Sequence, residues 1–199
     1  TEGLSVVFQR MSKALKTGAP LSFTYHHNSL EAYLPVAVAV LDAGMTCSAS
    51  LPCPAEMSAS IHINGTGSSI IDTIFVCRST GFISRKMLAT SAEEVASLVR
   101  DDLVDLQNGN VEPSLGDTRC IAYGHLIRLA IWNLRSVWDK TIDVSKRIIK
   151  VSQWLRGFGG WPEVEKHLND PNHPPCRPPQ FSLLENTDEY GDDYANVSF

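Results

Sequence analysis

The sequence lacks any apolar run approaching the roughly 20 residues that a membrane-spanning helix needs, and it contains no secretory leader. It also lacks a His-Glu-x-x-His helix, a Ser/His/Asp order typical of hydrolases, and a phosphate-binding glycine loop, since Gly65-Thr66-Gly67 is too short. We therefore expect no membrane association and no bound metal, and we find no independent indication of a hydrolase.

Cysteine is present, but its number and spacing do not indicate a disulfide framework. There are five cysteines, an odd number, with no Cys-x-x-Cys spacing, and most lie in apolar segments. This usage predicts reduced core thiols in a cytoplasmic protein. A metal site built from Cys53, His62 and Cys77 is the weaker alternative.

A basic surplus is also missing. The formal net charge is −5, and the tail from Ser182 holds five acidic residues and no Lys or Arg. The remaining 17 acidic residues balance the 17 basic ones, so the body of the chain is neutral. The chain as a whole therefore presents no positive field for nucleic acid.

The pattern that dominates the chain runs from Pro20 to Gly44. A β-rich run over residues 21–25 leads through His26, His27 and Asn28 into an apolar helical stripe, with Asn28 and Glu31 spaced as a capping box. Pro35 should distort the first turns of this helix. Strand, polar turn and helix make half of a βαβ unit, and ligands bind at the carboxyl ends of such strands. His26, His27 and Asn28 are therefore candidate site residues.

The rest of the pattern predicts an α/β fold followed by helices. Runs at 45–51 and 70–77 read as two further strands that pair antiparallel across a polar loop. Capped helical segments follow from Ser91 to Leu168, with the third opened by Asp117. We predict an α/β domain over 1–85, a helical appendage over 86–168, and a Pro-rich acidic tail over 169–199 that is extended or disordered.

The segments GAPLSFTYHHNSLEAYLPVAVAVLDAG and PCPAEMSASIHINGTGSSIIDTIFVCR resemble the C-terminal part of the large bacterial and archaeal adenine-specific DNA methylases. The later segment LGDTRCIAYGHLIRLAIWNLRSVWD is similar to the C-terminal helices of that family. The resemblance runs from about Gly3 to Leu155. It implies the last three strands of a Rossmann-like class I methyltransferase sheet, in an enzyme that uses S-adenosylmethionine.

The chain departs from the complete family in one respect. Neither the glycine motif that holds S-adenosylmethionine nor the catalytic Asp/Asn-Pro-Pro-Tyr tetrapeptide occurs in it. The resemblance therefore implies that the chain binds no cofactor and is inactive alone. The missing half would be a preceding segment or a separate chain, in keeping with a sequence that starts at Thr1 without Met.

The resemblance also supplies candidate contacts in the loop after the second strand. That region packs on the extruded base in amino-methyltransferases, because a base inside a duplex is inaccessible. Its polar or soft side chains are those of Glu56, Met57, His62 and Asn64. The alternative is an ordinary polar hairpin loop, and for the two histidines it is a solvated or capping role.

Basic residues cluster after Trp138. Lys140, Lys146, Arg147 and Lys150 could follow a DNA backbone, although a solvated helix face explains them as well. Two functions stay open: part of a DNA amino-methyltransferase, or a non-catalytic interaction or DNA-binding module derived from one. A truncated sheet leaves edges and an apolar face uncovered, so we expect an oligomer or a partner chain.

Overall fold

The computed structural model describes residues 1–55, 69–79, 82–84, 89–170 and 194–196. The α/β class is confirmed in these residues. The helices and strands, in chain order, are α1 Glu2–Ala14, β1 Leu21–Tyr25, α2 Leu30–Asp42, β2 Thr46–Pro54, β3 Ile71–Arg78, β4 Phe82–Ser84, α3 Ala92–Asn108, α4 Leu115–Leu134, α5 Val144–Phe158, α6 Gly160–Leu168 and β5 Tyr194–Asn196. A 3-10 turn, Arg135–Val137, follows α4.

The main sheet has three strands in the order β1-β3-β2. The predicted antiparallel pairing of β2 with β3 is confirmed, and β1 also pairs antiparallel with β3, with Phe23 opposite Phe75. Because both outer strands oppose β3, β1 and β2 run in the same direction, joined by α2. Their carboxyl ends and the start of β3 therefore meet at one end of the sheet, which we call the site end.

One face of the sheet carries the core. Alternate residues of β3 are buried, beginning with Ile71 and including Phe75 and Cys77, and the residues between them are half-buried. Aromatic contacts join this face to the helices. The ring centroids of Phe23 and Phe8 of α1 are 4.9 Å apart, and those of Phe75 and Tyr33 of α2 are 6.3 Å apart. The opposite face points away from these helices and includes Leu51, whose side chain is 48% exposed.

The helices predicted as an appendage share the core with the sheet. α4 packs directly across β2 and β3, and α5 packs against α2, so that one buried cluster includes Phe75, Leu126 and Val151. The boundary at residue 85 stays a prediction. The tail from 169 is described only at its start and at β5, which pairs antiparallel with β4.

α4 lies very close to the sheet at Gly124. A Cβ atom at this position would lie 2.4 Å from Ser50 Oγ and 2.7 Å from Thr73 Cγ2. Alanine favours a helix over glycine by about 1 kcal/mol. Overpacking nevertheless costs about 1–3 kcal/mol, and strand atoms must move to relieve this contact. We therefore expect Gly124→Ala to lower the free energy of unfolding measured by urea denaturation.

Gly157 supplies the matched control for this substitution. It also lies within a helix, α5, but a Cβ there would meet no atom within 4 Å. Gly157→Ala should therefore leave stability unchanged or raise it by up to about 1 kcal/mol. Equal effects of the two substitutions would show that the packing of α4 on the sheet is not the cause.

Candidate functional site

His26 and His27 lie where predicted, in the turn from β1 to α2 at the site end of the sheet. The His26 Nδ1 atom donates a hydrogen bond to the Ile71 carbonyl at 2.9 Å and lies 3.6 Å from Asp72 Oδ1. This bond fixes the proton of the neutral ring on Nδ1. His26 therefore presents an unprotonated Nε2 atom, and its side chain is 33% exposed.

His27 has the opposite arrangement. Its Nδ1 atom accepts a hydrogen bond from the Ser29 amide at 3.0 Å, so in the neutral ring the proton lies on Nε2. The two exposed rings thus offer one hydrogen-bond acceptor and one donor. A base edge or an amide presents a matching donor and acceptor, whereas a phosphate would favour the charged form of either ring.

Asn28 does not cap α2, so the predicted Asn28–Glu31 capping box is wrong. The N-cap residue is Ser29, and its hydroxyl donates to the Glu31 carboxylate instead of accepting a backbone amide. That bond is the main reason the pKa of Glu31 is lowered. Asn28 is exposed.

Behind the histidine turn lies a buried layer of aromatic and small polar groups. Tyr33 is fully buried and packs edge-on to Tyr25, with 4.8 Å between the ring centroids. Burial raises the pKa of this phenol well above its ordinary value. The Cys120 thiol donates to the His27 carbonyl at 3.5 Å, and Thr73 Oγ1 donates to the Cys120 carbonyl at 3.3 Å. α4 is therefore hydrogen-bonded to the backbone of the histidine turn.

Asp117 connects the start of α4 to the start of β3 at the site end of the sheet, a role that the sequence analysis did not predict. Its Oδ1 atom accepts hydrogen bonds from Ser69 Oγ and the Ile70 amide, both at 2.7 Å, and from the Ile71 amide at 3.0 Å. Its Oδ2 atom accepts from the Ser114 amide and hydroxyl, both at 2.7 Å, which completes a capping box on α4. The Ser-x-x-Asp spacing was the available signal for the cap, but not for the link to β3.

The charge state of Asp117 makes stability depend on pH. Burial raises its pKa, but the hydrogen bonds from Ser114, Ser69 and the Ile70 amide outweigh burial and lower the pKa overall. A lowered folded-state pKa contributes stability above the unfolded-state value of about 3.9. That stability is lost as pH falls through the folded-state pKa. We expect Asp117→Asn to flatten the acid limb of a plot of unfolding free energy against pH.

The loop candidates Glu56, Met57, His62 and Asn64 lie outside the described residues. The base of their loop is described: the Ala55 amide donates to the Ile70 carbonyl at 2.8 Å, and Cys53 pairs with Asp72. The loop therefore leaves the sheet at the site end, beside His26.

The basic candidates divide into two groups. Lys140 and Lys146 are exposed, and Lys150 donates to the Val137 carbonyl at 2.6 Å with its ammonium 5.7 Å from the Trp138 ring. Arg147 instead points inward and forms an ion pair with the fully buried Asp42, leaving its own side chain only 11% exposed. Its guanidinium is thus engaged in the core and is not part of the exposed basic surface.

No group of three or more His, Cys, Asp or Glu side chains in the described ranges could hold a metal ion. Cys53 is opposite Asp72 near the start of β3, whereas Cys77 lies near the end of that strand. The five residues from 72 to 77 span roughly 16 Å, so Cys53 and Cys77 cannot both bind one metal ion. No helix in the described part of the chain is long and apolar enough to cross a bilayer.

Comparisons with known proteins identified no relative. No family model matches the chain, and neither a curated protein nor a solved structure matches it. Function must therefore be argued from the residues at the site end of the sheet.

Proposed function

We propose that the chain is the C-terminal portion or subunit of an S-adenosylmethionine-dependent DNA amino-methyltransferase. It would contribute the edge of the sheet and part of the wall of the substrate cleft. The cofactor and the catalytic tetrapeptide would come from a preceding segment or a partner chain. A cytoplasmic location with reduced thiols is part of this proposal, and the four described cysteines are all free.

The observation that carries the proposal is the strand arrangement around His26 and His27. The three strands that the methylase resemblance implies lie in one sheet, with β1 and β2 parallel and the later β3 between them. Both histidines follow the carboxyl end of β1, where ligands of α/β sheets bind. Among the described residues nothing pairs with the outer edge of β1, so a larger sheet could continue there.

Calorimetry with S-adenosylmethionine tests this proposal. The chain alone should bind no cofactor, whereas the chain joined to its upstream region, or mixed with a neighbour-encoded protein containing the glycine and Asp-Pro-Pro-Tyr motifs, should bind it. Tight binding by the isolated chain would contradict the proposal. In the completed enzyme, His26→Gln and His27→Gln should reduce DNA methylation while leaving the thermal midpoint unchanged.

A second candidate is a non-catalytic interaction module, and the exposed face of α1 favours it. Val6, Val7 and Met11 on this helix are between 43% and 47% exposed, and Leu51 on the outer sheet face is 48% exposed. Exposed apolar groups on adjacent turns mark surfaces that associate. Light scattering after size exclusion should then show an oligomer that Val7→Glu dissociates. Ile149→Glu, at a 52% exposed position on α5, is the control.

A further inference from the structure

Cys47 and Cys77 form a thiol pair in the core of the main sheet. They are directly opposite each other on β2 and β3, and both are fully buried. The Cys47 thiol donates a hydrogen bond to the Ala49 carbonyl at 3.1 Å. Residues directly opposite in antiparallel strands have Cα atoms about 4.5–5.5 Å apart. That separation lies within the range that a disulfide spans.

A buried positive charge acts on this pair. Arg128 of α4 is only 5% exposed, and its Nε atom has no hydrogen-bond partner among the described residues. The charges that act on it are those of Cys47 and Asp102. A buried cation is costly unless a counter-charge is near, so Arg128 favours the thiolate over the thiol at Cys47.

The two sulfur atoms are therefore unequal. Burial raises the pKa of the Cys47 thiol, but the hydrogen bond from Cys77 and the charge of Arg128 bring it below its ordinary value. The hydrogen bond to Cys47, together with burial, raises the pKa of Cys77. One sulfur is thus suited to attack an oxidant and the other to remain protonated until the second step.

We propose that Cys47 and Cys77 are a redox-active dithiol that a hydroperoxide converts to a disulfide across the β2–β3 hairpin. The Cys47 thiolate attacks one peroxide oxygen: the S–O bond forms, the O–O bond breaks, and the departing hydroxide takes up the proton that Cys47 released. The Cys77 sulfur then attacks the Cys47 sulfur. The S–S bond forms, the S–O bond breaks, and the second hydroxide leaves as water with the Cys77 proton.

The disulfide would close a covalent loop from residue 47 to residue 77. This loop includes the segment that connects β2 to β3 at the site end. The disulfide would fix β2 to β3 at the end of the sheet opposite the histidines. Peroxide would thereby restrict the hairpin whose other end borders His26, without a modification at the site itself.

Peptide mapping of the full chain after treatment with hydrogen peroxide under native conditions tests this inference. Cleavage after Glu31, Glu56 and Glu93 separates Cys77, in fragment 57–93, from Cys47 and Cys53, in fragment 32–56. The two fragments should become linked, and the link should persist in Cys53→Ser but not in Cys47→Ser. Oxidation of the less buried Cys53 while fragments 32–56 and 57–93 remain unlinked would overturn the inference. A link that forms only in denaturant would do the same.

The role of Arg128 has its own readout. Arg128→Met should slow formation of the link by about tenfold, because the thiolate is the reacting form. Arg128→Lys, which keeps a positive charge, should largely restore the rate. Equal rates in all three proteins, each checked by circular dichroism for native structure, would overturn the assignment of Cys47 as the activated sulfur.

Discussion

Replacement of Asp117 by alanine should lower the free energy of unfolding by about 3–5 kcal/mol, because hydrogen bonds to a charged group contribute roughly 1.5–3 kcal/mol each and several donors lose this acceptor. The carboxylate is 1% exposed and accepts five hydrogen bonds, from Ser69, Ile70, Ile71 and Ser114. Its loss leaves the Ile70 amide without its acceptor at the start of β3, and it leaves the Ile71 amide with only the Ser69 hydroxyl, at 3.2 Å. It also removes the capping box of α4. Urea denaturation monitored by circular dichroism measures the change.

Two further substitutions separate burial from capping in this prediction. Asp117→Asn keeps the size of the side chain but removes its charge and one accepting oxygen, so its cost should be smaller than that of alanine yet still large. Asp143 caps α5 through the Ser145 amide at 2.8 Å but is exposed. Asp143→Ala should cost far less than Asp117→Ala. If the two alanine variants were equally stable, Asp117 would be an ordinary helix cap.

The local patterns predicted the elements of this fold well because those elements depend on neighbouring residues. The run over 21–25 is β1 with the predicted bounds, and the antiparallel pairing of β2 with β3 follows from two apolar runs with no helix between them. α2 was predicted in spite of Pro35, and the structure has this proline inside the helix. His26 and His27 were found as candidates for the same reason, since a turn after a strand is visible in sequence.

The remaining features depend on contacts between residues far apart in the chain. Asp117 was interpreted as a helix start, but its partners Ser69 and Ile70 are nearly 50 residues away. The sequence placed the charge of Arg147 on a solvated or DNA-facing helix surface, whereas Asp42, more than 100 residues earlier, binds it in the core. The Asn28 cap is wrong over a shorter range, because α2 begins one residue later, with Ser29 as its N-cap. Helical periodicity contains no information about such partners.

Arg147→Met should also lower the free energy of unfolding by about 3–5 kcal/mol, because it leaves the carboxylate of Asp42 buried without a counter-ion. The Asp42 side chain is fully buried and also accepts hydrogen bonds from Ser5 Oγ at 2.7 Å and from Trp138 Nε1 at 3.0 Å. This carboxylate therefore joins α1, α2, α5 and the segment after α4. Thermal denaturation of Arg147→Met and Arg147→Lys measures the loss, and lysine should recover only part of it because it cannot reproduce the planar guanidinium.

Lys146 is the matched control, because it precedes Arg147 on the same helix but is exposed. Lys146→Met should leave stability unchanged. If this surface binds DNA, that substitution should weaken binding and reduce its salt dependence, since each phosphate contact releases a counter-ion. Arg147→Met at a temperature where the protein stays folded should leave the salt dependence as it was. The opposite result, a large change in DNA affinity for Arg147→Met with no loss of stability, would place Arg147 on the DNA-binding surface and remove Asp42 from its role in the core.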